Sequence, residues 1–401
     1  MIICLQIPRF ALTVAAGGRD GQLAGPLALA PEAGREPVVG EASAVAEAHG
    51  VRAGMRLGEA LARCPGLRLV PPDPAGVGDA HDKLLTALEA IGAGVEGGRP
   101  GLAFFDAHAL RHVHGDLAAV VAAARKAAGR PARVGAAPTR FAALAAASRA
   151  RARRAEVVEP RAVRRFLAPL GVELLQTFAE GRGDHADAAL SALPVPLSRL
   201  GVATLGELAK LPRAAVADRF GIAGLRARDL AAGRDEALRP RVPVERLEES
   251  LELPESASGP QLEQALVLLI DRLLARRERR GRALRSVVVS AVLVEGGTWR
   301  ERMTFREPLA DPRRMRLVLV NKLAGLPAPA EVLRLRAEGF GPPAGAQGAM
   351  LTEPATARSA RLREAIRQTR AAAGPDAALR VLEVDPDSRV PERRLVLAPW
   401  E

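Results

Sequence analysis

Arginine alternating with apolar residues is the pattern in this sequence with the clearest chemical meaning. One parity of the first run is basic and the other is apolar: Arg300, Arg302 and Arg306 against Trp299, Met303 and Phe305. Arg334 and Arg336 repeat the pattern in a second run. Because successive side chains of a strand point to opposite faces, we expect two strands with these arginines on one face and no acid interleaved among them. Guanidinium groups bind phosphates, so this face predicts contact with a DNA backbone; a merely solvated face is the alternative.

A second candidate site is a short hairpin followed by a helix. Gly201, Val202, Ala203 and Thr204 separate two apolar helical segments, in the pattern of a helix-hairpin-helix. Backbone N–H groups at such a hairpin and at the next helix N-terminus can bind a phosphate. Phe220-Gly221-Ile222 is a looser example of the same pattern. In both places an ordinary helical turn is the alternative interpretation.

The composition favours a DNA-binding protein of a reducing compartment. The 401 residues carry 58 Lys+Arg against 46 Asp+Glu, giving a formal charge of +12. A bias of base composition accounts for the use of Arg over Lys, but not for the net charge. Cys4 and Cys64 lie far apart and form neither a disulfide framework nor a zinc-ligand set. No signal peptide or apolar span is visible, so we expect a cytoplasmic protein with no membrane partner and no resident metal.

Several elements must position these residues. Alternating strands and helices fill residues 1–160, with a small insertion after the first strand, which indicates an α/β domain. Residues 161–238 are short helices separated by Gly and Pro. A β-α-β-β-α-β order follows, which predicts a four-stranded sheet with both helices on one face and the arginines on the other. A Gly/Pro/Ala linker, a final helix and a short strand complete the chain.

Three segments then resemble a known family. Gly50-Val51-Arg52-Ala53-Gly54-Met55, followed by Cys64-Pro65, is similar to the fingers signature of Y-family translesion DNA polymerases. The segment from Arg133 to Ala143 resembles the last strand and helix of their palm, and its Ala-Pro-Thr-Arg wording is closest to the ImuB branch. Arg389-Val390-Pro391-Glu392-Arg393 resembles the ImuB-type ending. The resemblance covers about residues 1–340.

The resemblance implies an α+β multidomain protein shaped like a right hand. It predicts a palm in residues 1–16 and 76–160, fingers in 17–75 and a helix-hairpin-helix thumb in 161–238. A little finger of β-α-β-β-α-β order would occupy 244–338, followed by a linker, 339–356, and a C-terminal docking element for protein partners, 357–401.

The same resemblance implies that the catalytic positions are degenerate. Phosphoryl transfer with two Mg²⁺ ions needs carboxylates, yet the matching positions hold Gln6, Gly101 and Leu102. Ala11 falls at the position that excludes ribonucleotides. Ala44 and Glu47 fall where the family has the Tyr and Arg that hold the triphosphate, and Glu47 would repel it. Arg140 and Arg151 are residual candidates for phosphate contact.

The resemblance therefore implies a polymerase-shaped adaptor without polymerase chemistry, which needs no cofactor. Its expected partners are DNA, the sliding clamp, an error-prone polymerase and a RecA-like accessory protein. The clamp candidate is the linker peptide containing Gln347, Met350 and Leu351. Two alternatives stay open: an active Mg²⁺-dependent polymerase that uses Gln6, Asp106 and Glu96 as unusual ligands, and a structural DNA-binding protein outside mutagenesis.

Overall fold

The computed structural model divides the chain into two units, Met1–Pro243 and Val244–Glu401. The structure describes residues 1–17, 24–32, 34, 36–151, 154–179, 185–243, 247–294, 296–341 and 355–399. The α+β, multidomain class predicted from the sequence is confirmed. The proposed boundaries of palm, fingers and thumb stay predictions.

The strands of the first unit form one sheet of five and one of two. The seven strands are β1 (Ile2–Gln6), β2 (Leu27–Leu29), β3 (Arg68–Val70), β4 (Val95–Gly97), β5 (Leu102–Asp106), β6 (Arg133–Ala137) and β7 (Glu156–Val157). The larger sheet has the order β4-β5-β1-β6-β7, and β2 pairs with β3. The apolar run at the N-terminus therefore becomes the buried central strand that its composition predicts.

The helices of the first unit are short before residue 74 and longer after it. They are α1 (Phe10–Ala15), α2 (Ala44–Ala48), α3 (Leu57–Arg63), α4 (Pro74–Ala90), α5 (Ala107–His114), α6 (Leu117–Ala128), α7 (Arg140–Arg149), α8 (Val163–Leu167), α9 (Leu174–Ala179), α10 (His185–Ser191), α11 (Pro194–Arg199), α12 (Leu205–Lys210) and α13 (Arg213–Ala231). Helix α4 begins at Pro74. Asp73 caps the helix at the N–H of Gly76, 2.9 Å away, and Pro74 fits the first helical position.

Helix α7 packs on β6 with unusually close backbone approach. Its residues from Arg140 to Ala147 are buried, and most of them are alanine. A Cβ atom at Gly135 of β6 would lie 2.2 Å from the backbone N of Ala147. Only glycine fits there, so the Gly135-Ala136-Ala137 strand and the alanine-rich helix form one packing unit.

The second unit has the predicted β-α-β-β-α-β order. Its elements are β8 (Leu247–Ala257), α14 (Pro260–Ala275), β9 (Ala283–Leu293), β10 (Thr298–Leu309), α15 (Pro312–Leu323) and β11 (Ala330–Gly341). The sheet order is β10-β9-β11-β8, with every pair antiparallel. The core joins one face of this sheet to the apolar stripes of α14 and α15, as the spacing of Leu262, Leu266, Leu269 and Leu273 predicts.

Helix α16 (Ala355–Ala373) and a hairpin of β12 (Leu379–Glu383) and β13 (Leu395–Pro399) follow. The sequence predicts the helix and the first of these strands but not the second. Among the described residues, no helix is both long and apolar enough to cross a bilayer.

Candidate functional site

The arginine face of the second unit is built by strands that lie side by side. Arg302 and Arg336 pair with the same residue of β9, Val288, from its two sides. Arg300 and Arg334 do the same with Ser290. These four arginines therefore form two rows across β9, on the face opposite α14 and α15. The strand parity that predicts this face is correct for these four residues.

The expectation that this face is free of acids is wrong. Glu338 lies two residues after Arg336 in β11, and its carboxylate forms ion pairs with three arginines. Oε1 accepts hydrogen bonds from Arg336 at 2.8 Å and Arg300 at 3.0 Å, and Oε2 lies 3.0 Å from Nε of Arg302. On the far side of β11, Glu248 of β8 lies opposite Arg336.

The five predicted arginines differ in how they meet the solvent. The Arg302 side chain is 66 % exposed, whereas that of Arg336 is only 10 % exposed. Arg334 is half-buried. Arg306 does not belong to the rows, because the β9–β10 register is irregular between Thr304 and Leu309. It instead borders a pocket with Arg314 and Leu317 of α15.

The first hairpin has the predicted shape, but its N–H groups are already occupied. Gly201 has a φ of 79°, and Thr204 caps α12 in a capping box with Glu207. The Glu207 carboxylate accepts the N–H groups of Ala203 at 2.8 Å and Thr204 at 2.9 Å, and these bonds hold the pKa of Glu207 below its usual range. The N–H groups of Gly201, Val202, Leu205 and Gly206 donate to backbone carbonyls. Phosphate binding at this hairpin stays a prediction, and an anion would have to displace Glu207 to reach the N–H groups of Ala203 and Thr204.

The looser hairpin is the more open one. Gly221 interrupts α13 with φ 60° and ψ −148°, a conformation that requires glycine. Ile222, which begins the next helical segment, is 87 % exposed. The chain thus presents the start of a ten-residue helical segment, Ile222 to Ala231, to solvent at this point.

The three positions that the resemblance assigns to metal ligands, Gln6, Gly101 and Leu102, meet at one end of the five-stranded sheet. Gln6 is the last residue of β1 and lies between Leu102 of β5 and Arg133 of β6. Its Oε1 is buried without a hydrogen-bond donor among the residues that the structure describes. Leu102 is 1 % exposed and belongs to the apolar core. The sequence therefore brings the expected positions together but equips them with neutral and apolar groups.

Gly101 occupies a place that excludes a side chain. Its φ is 82°, and a Cβ there would lie 2.6 Å from the Cβ of Phe10. Its N–H donates to Nδ1 of His81 at 3.2 Å, and its carbonyl accepts from Ile7 at 2.8 Å. Burial lowers the pKa of His81, which keeps this imidazole neutral and able to accept.

The alternative ligand set of Gln6, Asp106 and Glu96 is not assembled. Asp106 pairs with Ile2 at the opposite end of β1, four residues from Gln6, or about 13 Å at the usual rise per residue. It caps α5 and binds the N-terminal amine at 3.2 Å. Glu96 binds Arg140. In the described part of the chain, no group of three His, Cys, Asp or Glu side chains could hold a metal ion.

The fingers positions contain glutamates that already have partners. Glu47, which we expect to repel a triphosphate, accepts a hydrogen bond from Nη2 of Arg9. Glu41 accepts the N–H of Leu12, in the first turn of α1, at 3.0 Å. Ala44 is exposed, and Ala11 is half-buried. Two carboxylates of the insertion therefore bind groups that follow β1: Glu47 binds the Arg9 guanidinium, and Glu41 binds the N–H of Leu12.

A basic pocket lies beside this end of the sheet. Five arginines line it: Arg9, Arg130, Arg133, Arg149 and Arg151. None of the described residues that line it is acidic. Arg151 thus lies where an anion could bind. Arg140, the other candidate for phosphate contact, does not: it is 1 % exposed and binds Glu96 and Asp235. The clamp candidate, Gln347, Met350 and Leu351, lies outside the described residues.

Comparisons with known proteins agree with the geometry of the first unit. The impB/mucB/samB family model matches residues 7–148. DNA polymerase IV of Pseudomonas entomophila (strain L48) is 28% identical over 222 residues, or 54% of this chain. The match covers 60% of that polymerase, so less than two thirds of the relative is represented.

The chain is also similar to solved structures of proteins named DinB and Dbh. DinB from Sulfolobus solfataricus has 18% sequence identity and a TM-score of 0.46, over 84% of this chain and 98% of its own. A Dbh ternary complex has 17% identity and a TM-score of 0.46, over 85% and 99%.

Proposed function

We propose that the protein is a DNA-binding, non-catalytic member of the Y-family that acts as an adaptor in damage-induced translesion synthesis. One observation carries the non-catalytic part. The end of the sheet where two Mg²⁺ ions would need carboxylates holds Gln6, Gly101 and Leu102. Neutral and apolar groups hold Mg²⁺ poorly, since this ion prefers carboxylate oxygens.

The environment of these positions supports the same conclusion. Leu102 is part of the core, and a side chain at Gly101 would collide with Phe10. Glu41 and Glu47 occupy groups at the start of α1 that an anionic substrate would otherwise use. These features are mutually consistent, because each removes one part of a nucleotide-binding or metal-binding site.

DNA binding is supported by two basic surfaces, one in each unit. The first is the arginine pocket beside β1, and the second is the pair of arginine rows on β10 and β11. Arg300 and Arg302 are the best placed for phosphate, because both lie at the surface of the free sheet face. The exposed turn at Gly221 is a further candidate.

The adaptor role rests on the family resemblance. It implies a sliding clamp bound through Gln347, Met350 and Leu351, an error-prone polymerase and a RecA-like accessory protein, with residues 357–401 as a docking element. It also implies a cytoplasmic, nucleoid-associated protein without a cofactor.

Primer extension and DNA binding, measured on the same primer-template with the full chain, test the proposal. We expect binding in fluorescence anisotropy without extension in Mg²⁺ or Mn²⁺, on undamaged and lesion-containing templates. Replacing Arg300, Arg302 and Arg334 with Ala should weaken binding and reduce its salt slope by roughly one unit per lost phosphate contact.

A matched control removes three arginines from the opposite side of the same sheet. Arg313, Arg314 and Arg316 lie on α15 and are exposed, so their replacement changes the net charge equally. If this variant loses as much affinity as the face variant, the arginine face is not the binding surface. Extension that persists after repurification would make the protein an active polymerase instead.

A further inference from the structure

The Glu338 carboxylate is the centre of the arginine face. Three guanidinium groups converge on it, from Arg300 and Arg302 on β10 and from Arg336 on β11, with contacts of 2.8 to 3.0 Å. The Glu338 side chain is 20 % exposed. Arginine binds carboxylate and phosphate with the same planar geometry, so Glu338 occupies the kind of position that a phosphate would take.

A β-bulge places Glu338 there. Ala337 pairs with Val287, and Gly339 pairs with the adjacent Ser286, so Glu338 is the extra residue of β11. A Cβ at Gly339 would lie 2.6 Å from Oγ of Ser286, so the strands approach closely beside the bulge only because residue 339 is glycine. The bulge therefore sets where the Glu338 backbone, from which the carboxylate extends, lies in β11.

The three arginines do not play the same part. Arg336 is 10 % exposed in its side chain, so its charge needs a partner within the protein, and Glu338 supplies one at 2.8 Å. Arg302 is 66 % exposed and Arg300 30 % exposed, so both can reach a ligand in solvent. Arg336 thus anchors the carboxylate, while the two arginines of β10 are shared between it and the solvent.

We propose that Glu338 is an intramolecular competitor of DNA phosphates. The carboxylate, anchored by Arg336, holds Arg300 and Arg302, and a phosphate must take these two guanidinium groups over from it. The inference rests on the proposed DNA-binding function. It assigns Arg336 a positioning role, in place of the direct phosphate contact predicted from the sequence.

The competition makes a counterintuitive prediction for the Glu338→Gln variant. The amide keeps the size of the side chain but removes the charge that competes with phosphate. In this variant, DNA no longer has to break the ion pairs of Arg300 and Arg302 with Glu338. Each exposed ion pair contributes only a modest free energy, so we expect roughly three- to tenfold tighter binding of a short primer-template. We also expect the salt slope to steepen by about one unit, because the protein then binds DNA without freeing a carboxylate of its own.

Two further variants make the test specific. Glu338→Ala removes the same charge without the amide and should also bind more tightly. Glu301→Gln is the matched control, because Glu301 lies on the same strand as Arg300 and Arg302 but its partner is Lys322 of α15. Glu301→Gln removes the same charge as Glu338→Gln. Because the partner of Glu301 is Lys322, we expect its replacement to change the affinity for DNA by less than about twofold. Circular dichroism of each variant establishes that it is folded.

The outcomes separate this inference from the function on which it rests. If the wild-type protein binds DNA and Glu338→Gln binds no more tightly than Glu301→Gln, the competition is overturned and DNA binding stands. If the wild-type protein does not bind but both Glu338 variants do, Glu338 masks the face completely. If none of them binds, the DNA-binding function and the competition both fall.

Discussion

At the scale of single residues, the space around Gly101 leaves no room for a carboxylate side chain. We expect that Gly101→Asp, combined with Gln6→Asp and Leu102→Glu, gives no primer extension in Mg²⁺. The new Cβ would collide with Phe10, so the carboxylate cannot take its place without moving the core. The measurement is extension by the purified triple variant, and full-length product at the rates of an active polymerase would contradict it.

The single variant Gly101→Asp isolates the physical cause. Gly54 is a matched control, because its φ is also 82° but no atom lies within 4 Å of the place that a Cβ would take. Gly54→Asp should cost only backbone strain, about 1 kcal/mol, whereas Gly101→Asp should cost about 1–3 kcal/mol more through the collision. Thermal unfolding followed by circular dichroism compares the two, and equal losses would mean that Phe10 gives way.

The type of a residue indicates the chemistry that its side chain can do, but not which side chains it binds in the folded chain. The structure brings Gln6, Gly101 and Leu102 together at one end of a sheet, and their match to the family's metal ligands stays a prediction. It assigns Arg140 to phosphate, because the acids that bind it, Glu96 and Asp235, lie 44 and 95 residues away. No local pattern carries such information.

At the scale of elements, the two-residue alternation of side chains predicts the arginine strands, and shifts in strand register limit the prediction. Arg300, Arg302, Arg334 and Arg336 obey the period of two, which places them on one face. Arg306 follows a register shift, and Glu338 lies in a bulge. Strand β13 also escapes prediction, because it is a short apolar segment without an alternating pattern, and residues 384–394 separate it from its partner β12.

Helix α16 offers an element-scale test of pH dependence. Glu364 accepts hydrogen bonds from Arg279 of the α14 end and from Arg367 of its own helix. Burial alone would raise the pKa of Glu364, but these arginines outweigh it and hold the pKa below its usual value of 4.5. The ionised Glu364 carboxylate therefore stabilises the docking of α16 above pH 4.5, and this stabilisation is lost as the pH falls through the lowered pKa.

We expect Glu364→Gln to weaken this docking at neutral pH. Without the charge, the buried guanidinium of Arg279 loses its carboxylate partner, so α16 should open more often. Hydrogen exchange of residues 355–373 measures the opening, with Glu383→Gln, an exposed glutamate of β12, as the control. Equal exchange in the two variants would show that Glu364 does not hold the helix.

At the scale of the whole molecule, the Arg140 cluster joins distant parts of the first unit. Its guanidinium binds Glu96 of β4 at 2.5 Å and Asp235 after α13 at 2.9 Å. The N–H of Arg239 donates to the same Glu96 at 2.6 Å. The segment that follows α13 is thus fastened to the edge strand β4 at this point.

We expect Arg140→Met to destabilise the first unit by about 3–5 kcal/mol, because two buried carboxylates lose their partner. Both tryptophans, Trp299 and Trp400, lie in the second unit. In urea, the circular dichroism transition should therefore shift while the tryptophan fluorescence transition stays in place.

Arg165→Met is the matched control, because Arg165 is exposed on α8. A shift no larger than that of this control would mean that the buried cluster contributes little. A fluorescence transition that moves as far as the dichroism transition would mean that the two units unfold together.

The close fit around Gly101 also has a historical consequence. A lineage that began to restore acidic residues would first meet variants that are less stable and still unable to hold a metal. Selection would have no gradient to follow until Phe10, Gln6 and Leu102 had changed together. The loss of chemistry that we propose for this site would therefore behave as a ratchet, and descendants of such a protein would diversify through their surfaces and partners instead of through a regained reaction.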